Sequence, residues 1–272
     1  MIQTLPLFRP LNTKLLQVLR ALPPADWSKQ TVAGRWTIKD VAAHLLDGNL
    51  RAIALYRDQW ELPPAAITDY QSLVDYLNQL NAEWVTATRR LSPAILTEWL
   101  ETTHEPYIRC LEQLDPRASA VYSVAWAGES VSTNAFHIAR EYTEKWHHQQ
   151  QIRDALGSPE IMTKEFYRPV LDTFLMALPY AYRDTKAPTG TRIQIEIDTD
   201  AGGLWTLERS DDAWRFSDDN SLRTDASVKI PGALAWKFMT KAISPEVIRH
   251  HVHIQGSEAL VLPCLRMIAV MA

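Results

Sequence analysis

The chain has 272 residues, of which 46% are hydrophobic and 22% are charged, and its formal net charge is −4. This balance is typical of a globular protein that buries a core, and the length favours two domains over one. The slight acidity argues against partners that are bound through basic patches, so we expect no nucleic acid and no membrane among the partners.

Cysteine usage and apolar run length bear on the compartment. The two cysteines, Cys110 and Cys264, lie in different halves of the chain, which excludes a disulfide scaffold and a paired thiolate zinc site. No apolar run reaches the ~20 residues of a membrane span. Pro6, Arg9 and Pro10 interrupt any signal-peptide core. We therefore expect a cytoplasmic protein with reduced, packed cysteines.

Apolar residues at intervals of three and four predict five helices in the first part of the chain. The predicted helices run from Leu11 to Leu22, from Ile38 to about Trp60, from about Asp69 to Leu91, from Ser92 to about Asp115 and from about Thr133 to Leu156. Thr37 with Asp40 three residues later predicts a cap for the second helix. Pro106 should kink or break the fourth helix, and Gly157 should end the fifth.

The pattern changes after Pro159. A sixth helix is predicted from about Thr163 to Leu178, followed by alternating segments that predict strands. The strands are predicted at 192–198, 204–207, 214–216, 226–230 and 252–255, with helices at about 233–241 and 257–270. Strands in sequence, followed by helices, favour an antiparallel α+β unit. The sequence thus predicts a helical domain over residues 1–160 and an α+β domain over residues 161–272.

One stripe of the fifth helix carries chemistry-bearing side chains: His137, Glu141, Glu144 and His148. Glu144 and His148 are one turn apart, close enough for both to bind one ion. His44 shares the inward face of the second helix with Val41 and Leu45. Two histidines and one glutamate give an ion three protein ligands and leave positions open, so we predict a divalent metal site at His44, Glu144 and His148. Hydrogen-bonded core histidines and a solvated ion pair are the alternative interpretation.

Two segments resemble a known superfamily. Trp36-Thr37 with Asp40, His44 and Leu45 resembles the Trp-Ser/Thr-x-x-Asp-x-x-x-His-Leu signature of the DinB superfamily. Glu144 through Ile152 resembles the last-helix motif of that superfamily, and its glutamate variant is similar to the mycothiol-dependent maleylpyruvate isomerases. The resemblance implies a DinB-like four-helix bundle followed by a smaller sterol-carrier-like α+β domain. It also implies His44, Glu144 and His148 as the metal ligands, with zinc as the metal.

The resemblance implies transfer that involves a low-molecular-weight thiol: mycothiol, bacillithiol or glutathione. A bound cation stabilises a thiolate, which would add to an electrophilic substrate as an S-transferase or isomerase. The donor set suits nickel and iron as well as zinc. A non-catalytic metal-containing protein for ligand binding or stress response, and a metal-assisted hydrolase, are the alternatives.

Further residues are candidates for roles around the predicted metal ion. Glu141 and Asp47 are candidates for orienting the metal ligands from a second layer, as outer carboxylates commonly do. The resemblance implies an arginine from the C-terminal domain that binds substrate, for which Arg223, Arg249 and Arg266 are the candidates. Oligomeric state and the acceptor substrate are left open.

Overall fold

A computed structural model describes residues 2–60, 65, 67–219 and 223–271. Two compact units can be distinguished. The first comprises Met1–Ser123, Val131–Ile161 and Met271–Ala272, and the second comprises Val124–Ser130 and Met162–Val270. The division of the chain at residue 160 into two domains stays a prediction.

The first unit is helical. Its helices are α1 (Phe8–Ala21), α2 (Ile38–Tyr56), α3 (Tyr70–Thr88), α4 (Pro93–Glu112) and α5 (Asn134–Leu156), with short 3-10 helices at Leu5–Leu7 and Pro24–Ser28. Helices α1 and α2 each pack against both α4 and α5, and α3 packs against α2. The predicted helical bundle is therefore confirmed.

The two helices that matter most for function begin and end at local signals. In α2, Thr37 Oγ1 accepts from the Asp40 amide at 3.3 Å, and Asp40 Oδ2 accepts from the Thr37 amide at 2.9 Å. This reciprocal capping box satisfies two amides that have no partner within the helix. Thr133 caps α5, and Gly157 ends it with a φ of +66°, which glycine adopts without the steric cost of a Cβ atom.

Helix α4 differs from the prediction. It continues through Pro106, which we expected to kink or break it. Proline removes one helix hydrogen bond and costs about 3 kcal/mol in a helix interior. The residues that follow, Tyr107, Ile108 and Leu111, are fully buried. Burial of large side chains stabilises a helix by a comparable amount, so tertiary packing outweighs the local penalty.

The second unit contains one mixed sheet and several helices. Its elements are α6 (Lys164–Leu175), α7 (Leu178–Ala181), β1 (Arg192–Asp198), β2 (Gly203–Arg209), β3 (Trp214–Ser217), β4 (Ala226–Pro231), α8 (Gly232–Met239), α9 (Pro245–Arg249), β5 (His253–Gly256) and α10 (Glu258–Leu265). The strand order is β3-β2-β1-β4-β5. The predicted α+β class is confirmed.

The order of the strands along the chain had led us to expect an antiparallel sheet. The observed sheet is mixed instead. Strands β1 and β4 are parallel, with Ile195 opposite Val228, whereas the other neighbouring pairs are antiparallel. After β3 the chain returns to the free edge of β1 and enters it from the same end, which gives a parallel pair. The isoleucines of β1 lie on the buried face, as the alternation predicted.

The C-terminal helix is shorter than predicted. Helix α10 ends at Leu265, whereas its apolar pattern extends to Val270. Within the described ranges, no helix combines the length and the apolar composition needed to cross a bilayer.

Candidate metal centre

Helices α2 and α5 bring the three predicted metal ligands together. One ligand atom each from His44, Glu144 and His148 lies within 4.8 Å of the other two. The ring centroids of the two histidines are 4.5 Å apart, and His148 Nε2 lies 3.4 Å from Glu144 Oε2. Residues that are 100 positions apart in the chain thus converge on one point. The structure gathers these three residues, and their role as ligands stays a prediction.

The proton positions of His148 follow from its second nitrogen. Nδ1 lies 2.8 Å from Gln151 Oε1, an amide oxygen that only accepts, so Nδ1 carries the proton. In the neutral ring, Nε2 then presents its lone pair on the side of Glu144. A lone pair and a carboxylate oxygen that face each other are the donors that a divalent cation requires. Gln151 therefore orients the ring as an outer partner of a metal ligand commonly does.

His44 supplies a second indication that these residues can hold a metal ion. Its Nδ1 is buried and has no hydrogen-bond partner among the described residues. Burial, followed by the electrostatic interaction with His148, holds the pKa of His44 well below its ordinary value, so the ring is neutral at pH 7. Leaving a buried polar atom without a partner costs about 1–3 kcal/mol. A neutral, incompletely bonded imidazole beside a carboxylate fits a metal ligand.

Glu144 is ionised in this setting. Burial opposes ionisation, but the interactions with His147, His148 and Arg140 outweigh it and keep the pKa of the carboxyl below its ordinary value. His147 itself donates from Nδ1 to the Thr143 carbonyl at 2.9 Å. With Nδ1 donating to a carbonyl, this nitrogen has no lone pair to offer an ion, although it lies 3.9 Å from Glu144 Oε2.

An aromatic side chain forms one wall of the site. Trp36 lies immediately before the Thr37 cap, and its ring centroid is 4.9 Å from that of His44 and 6.2 Å from that of His148. The capping box fixes the entry of the chain into α2, and this places Trp36 against both imidazoles. The sequence motif contains Trp36, but the spacing of residues in the motif does not predict its contacts with His44 and His148.

Lys145 occupies the space between α2 and α5 next to the site. Its Nζ donates to the Leu45 carbonyl at 3.0 Å and to Asn49 Oδ1 at 2.7 Å, and it lies 4.6 Å from the Tyr107 ring centroid. A Cβ atom at Gly48 would come within 3.1 Å of this ammonium, so the close approach favours glycine there. The polar contacts of Lys145 tie the two ligand-bearing helices together.

The two carboxylates predicted to orient the ligands have other partners. Asp47 is buried and lies 3.0 Å from Arg51 Nε. Glu141 accepts from the Tyr107 hydroxyl at 2.9 Å and from Arg140 Nη2 at 2.7 Å. Neither carboxylate has a hydrogen bond to His44 or His148 within the described part of the chain, so the orienting role of Asp47 and Glu141 stays a prediction.

The candidate substrate arginines belong to the second unit. Arg223, Arg249 and Arg266 are all exposed. Arg249 pairs with Glu258 at 2.5 Å. Which of them binds a substrate stays a prediction.

Cys110 and Cys264 are free and buried, and burial raises the pKa of both thiols, to about 12 for Cys264.

Comparisons with known proteins agree with this architecture. Residues 8–153 match the family described as the mycothiol maleylpyruvate isomerase N-terminal domain. Two solved structures share the fold. A histidine-to-alanine mutant of the mycothiol-dependent maleylpyruvate isomerase is 11% identical and covers 92% of this chain and 91% of its own, with a TM-score of 0.56. The unsubstituted isomerase is 12% identical and covers 86% of each chain, with a TM-score of 0.53.

No curated protein sequence matches the chain at a significant level. The family match spans more than half of the chain and contains α1 through most of α5, including all three candidate ligands. The resemblance inferred from the two sequence motifs is thereby confirmed. The chain belongs to the mycothiol maleylpyruvate isomerase family.

Proposed function

We propose that this protein binds one divalent metal ion through His44, Glu144 and His148 and is a thiol-dependent isomerase or S-transferase. The observation that carries the proposal is the convergence of these three side chains, within 4.8 Å of one another, in a chain of this family. Two imidazoles and a carboxylate suit zinc, and they also suit nickel or iron. The solved relatives are described as mycothiol-dependent, which makes mycothiol the first thiol to test, ahead of bacillithiol and glutathione.

The residues of the site fit a metal ion. The neutral imidazole of His44 and the lone pair of His148 Nε2 provide neutral donors, and the ionised Glu144 provides one negative charge. A divalent ion bound there supplies positive charge that favours a thiolate over a thiol at neutral pH.

The surrounding residues hold this geometry. Gln151 fixes the proton of His148 on Nδ1, which keeps Nε2 available. Trp36 covers the two imidazoles with an apolar ring and limits the access of water from that side. Lys145 holds α2 against α5, so His44 stays within reach of the other two ligands.

The expected reaction is the conversion of a cis-enone acid into its trans isomer. A carbon–sulfur bond forms as the thiolate adds to the electrophilic carbon and the carbon–carbon double bond becomes a single bond. After rotation about that bond, the carbon–sulfur bond breaks, the double bond is restored and the thiolate is regenerated. The sequence balances without an oxidant or a reductant.

The test is isomerisation of maleylpyruvate by purified protein of measured metal content, with mycothiol, bacillithiol or glutathione supplied separately. We expect thiol-dependent formation of the trans product with at least one thiol, and loss of turnover in Glu144→Gln and His148→Ala. Full activity of both variants would contradict the proposal. A metal-loaded protein that binds ligands without turnover would support the non-catalytic alternative, and thiol-independent hydrolysis would support the hydrolase.

A further inference from the structure

A second cluster of polar side chains lies in the first unit beyond the candidate metal site, where the last turn of α2 meets the first turns of α5. Its members are Tyr56, Tyr107, His137, Arg140 and Glu141, which are linked by four hydrogen bonds of 2.7–3.0 Å. Arg140 lies four residues before Glu144 on α5, one helical turn or about 6 Å along the axis. Apart from the effect of Arg140 on the pKa of Glu144, the role proposed above for the metal site does not involve this cluster.

The hydrogen bonds of His137 fix where the protons are. Arg140 Nη2 lies 2.9 Å from His137 Nδ1, and a guanidinium only donates, so Nδ1 accepts. Burial lowers the pKa of His137 to about 4, so the ring is neutral at pH 7 and carries its one proton on Nε2. Nε2 then donates to the Tyr56 oxygen at 3.0 Å. The hydroxyl hydrogen of Tyr56 is left to point elsewhere, and in the described part of the chain His137 is its only hydrogen-bond partner.

Arg140 also has an N–H group that makes no hydrogen bond among the described residues. Its hydrogen bonds to His137 and Glu141 both come from Nη2. Its Nε is buried and has no acceptor among the residues that the structure describes. A buried N–H without an acceptor costs about 1–3 kcal/mol. The Tyr56 hydroxyl hydrogen and Arg140 Nε are therefore two donors without an acceptor among the described residues.

A simpler role for Arg140 is to neutralise the buried Glu141. Neutralisation alone would favour the two-pronged contact in which Nε and an Nη nitrogen both donate to the carboxylate. Here one carboxylate oxygen of Glu141 accepts a hydrogen bond from a single nitrogen of Arg140. The other oxygen accepts a hydrogen bond from the Tyr107 hydroxyl. The Arg140 side chain remains 17% exposed, so part of it is open to solvent although Nε itself is buried.

We propose that Arg140 and the Tyr56 hydroxyl form a subsite that binds a carboxylate group of the ligand, one helical turn from Glu144. A carboxylate offers two oxygens to the two unsatisfied donors and a negative charge to the guanidinium. The inference rests on the proposed function for the identity of the ligand, because the carboxylate can belong to an enone acid or to a thiol such as glutathione. Both sources share this chemistry.

The test is direct binding, measured by calorimetry on the full chain as purified. The probes are maleate, a cis-dicarboxylate without a thiol; glutathione, a thiol with carboxylates; and cysteamine, a thiol without one. Arg140→Gln should weaken the binding of maleate or glutathione at least tenfold, and Tyr56→Phe about tenfold, as expected for a hydrogen bond to a charged group. Cysteamine binding should not change. The matched control is Arg109→Gln, which alters an exposed arginine on α4 and should leave all three affinities unchanged.

The pattern of losses identifies the source of the carboxylate. A loss for maleate assigns the subsite to the acid substrate, and a loss for glutathione alone assigns it to the thiol. Unchanged affinity for both in Tyr56→Phe and in folded Arg140→Gln overturns the proposal, as does the absence of binding of either by wild type. If Arg140→Gln fails to fold by circular dichroism, Tyr56→Phe decides.

The binding experiment also needs a metal-site variant, because carboxylates can bind a metal ion directly. Maleate binding that disappears in His148→Ala but persists in Arg140→Gln overturns the subsite. Failure of the proposed function would show instead as absent metal or absent turnover, and neither quantity enters this binding measurement.

Discussion

His104 offers a sharp test of how the bundle responds to acid. It lies on α4 beside a cavity of about 20 Å³ that is also lined by Phe8, Asn49, Lys145 and Gln149. Its Nε2 is buried and has no partner among the described residues. Burial, together with the positive charge of Lys145, lowers the pKa of His104 from 6.5 to about 3. The folded bundle therefore holds this ring neutral at pH values where the unfolded chain protonates it.

The direction and size of the effect follow from linkage. Between pH 6.5 and 3 the unfolded state binds a proton that the folded state rejects, so the free energy of unfolding falls as the pH falls. The full interval corresponds to about 5 kcal/mol at 1.36 kcal/mol per pH unit. At pH 5 the loss from His104 is about 2 kcal/mol, since only the first 1.5 units have been crossed.

The assay is urea unfolding at pH 7.5 and pH 5.0, followed by helical circular dichroism, in wild type and His104→Gln. Glutamine keeps a polar side chain but does not titrate. Wild type should lose about 2 kcal/mol more than the variant over this interval. The control His253→Gln, at an exposed histidine of β5, should behave as wild type. An equal loss of stability in wild type and His104→Gln would refute the reasoning.

Three further substitutions have defined outcomes. Gln151→Leu removes the acceptor that orients His148 and should lower metal affinity about 10–100-fold in a competition titration against a chelator, whereas unchanged affinity would contradict the orienting role. Thr37→Ala removes the side-chain half of the α2 cap and should destabilise the bundle by about 1 kcal/mol in urea unfolding, and an unaltered midpoint would argue against that contribution. Tyr167→Phe leaves the buried Gly232 carbonyl without its 2.9 Å hydrogen bond and should lower the thermal midpoint of the second unit through a loss of about 1–3 kcal/mol, whereas a midpoint at or above that of wild type would contradict it.

Features with local causes could be predicted from the sequence. The start of α2 depends on Thr37 and Asp40, three residues apart, and the end of α5 depends on Gly157. The proximity of Glu144 and His148 follows from the helical repeat alone. The meeting of His44 with that pair is a tertiary contact, which the inward face of the second helix suggested and the paired motifs supported.

Features decided by partners at long range could not be predicted. The continuation of α4 through Pro106 depends on burial against other helices, and the parallel pairing of β1 with β4 depends on where the chain crosses. The unpaired Nε of Arg140 becomes evident only when the contacts of Glu141 and His137 are known. Sequence spacing placed Glu141 on the correct stripe but could not name Tyr107 as its partner.

Metal content tests the central claim most directly. Wild type, His148→Ala and His104→Gln are purified identically, incubated with zinc, freed of excess metal and analysed by elemental mass spectrometry. His104→Gln is the matched control because it alters another histidine of the same bundle outside the three candidate ligands. We predict about one equivalent of metal in wild type and in His104→Gln, and little in folded His148→Ala. Equal metal in all three proteins, or none in wild type, would contradict the account.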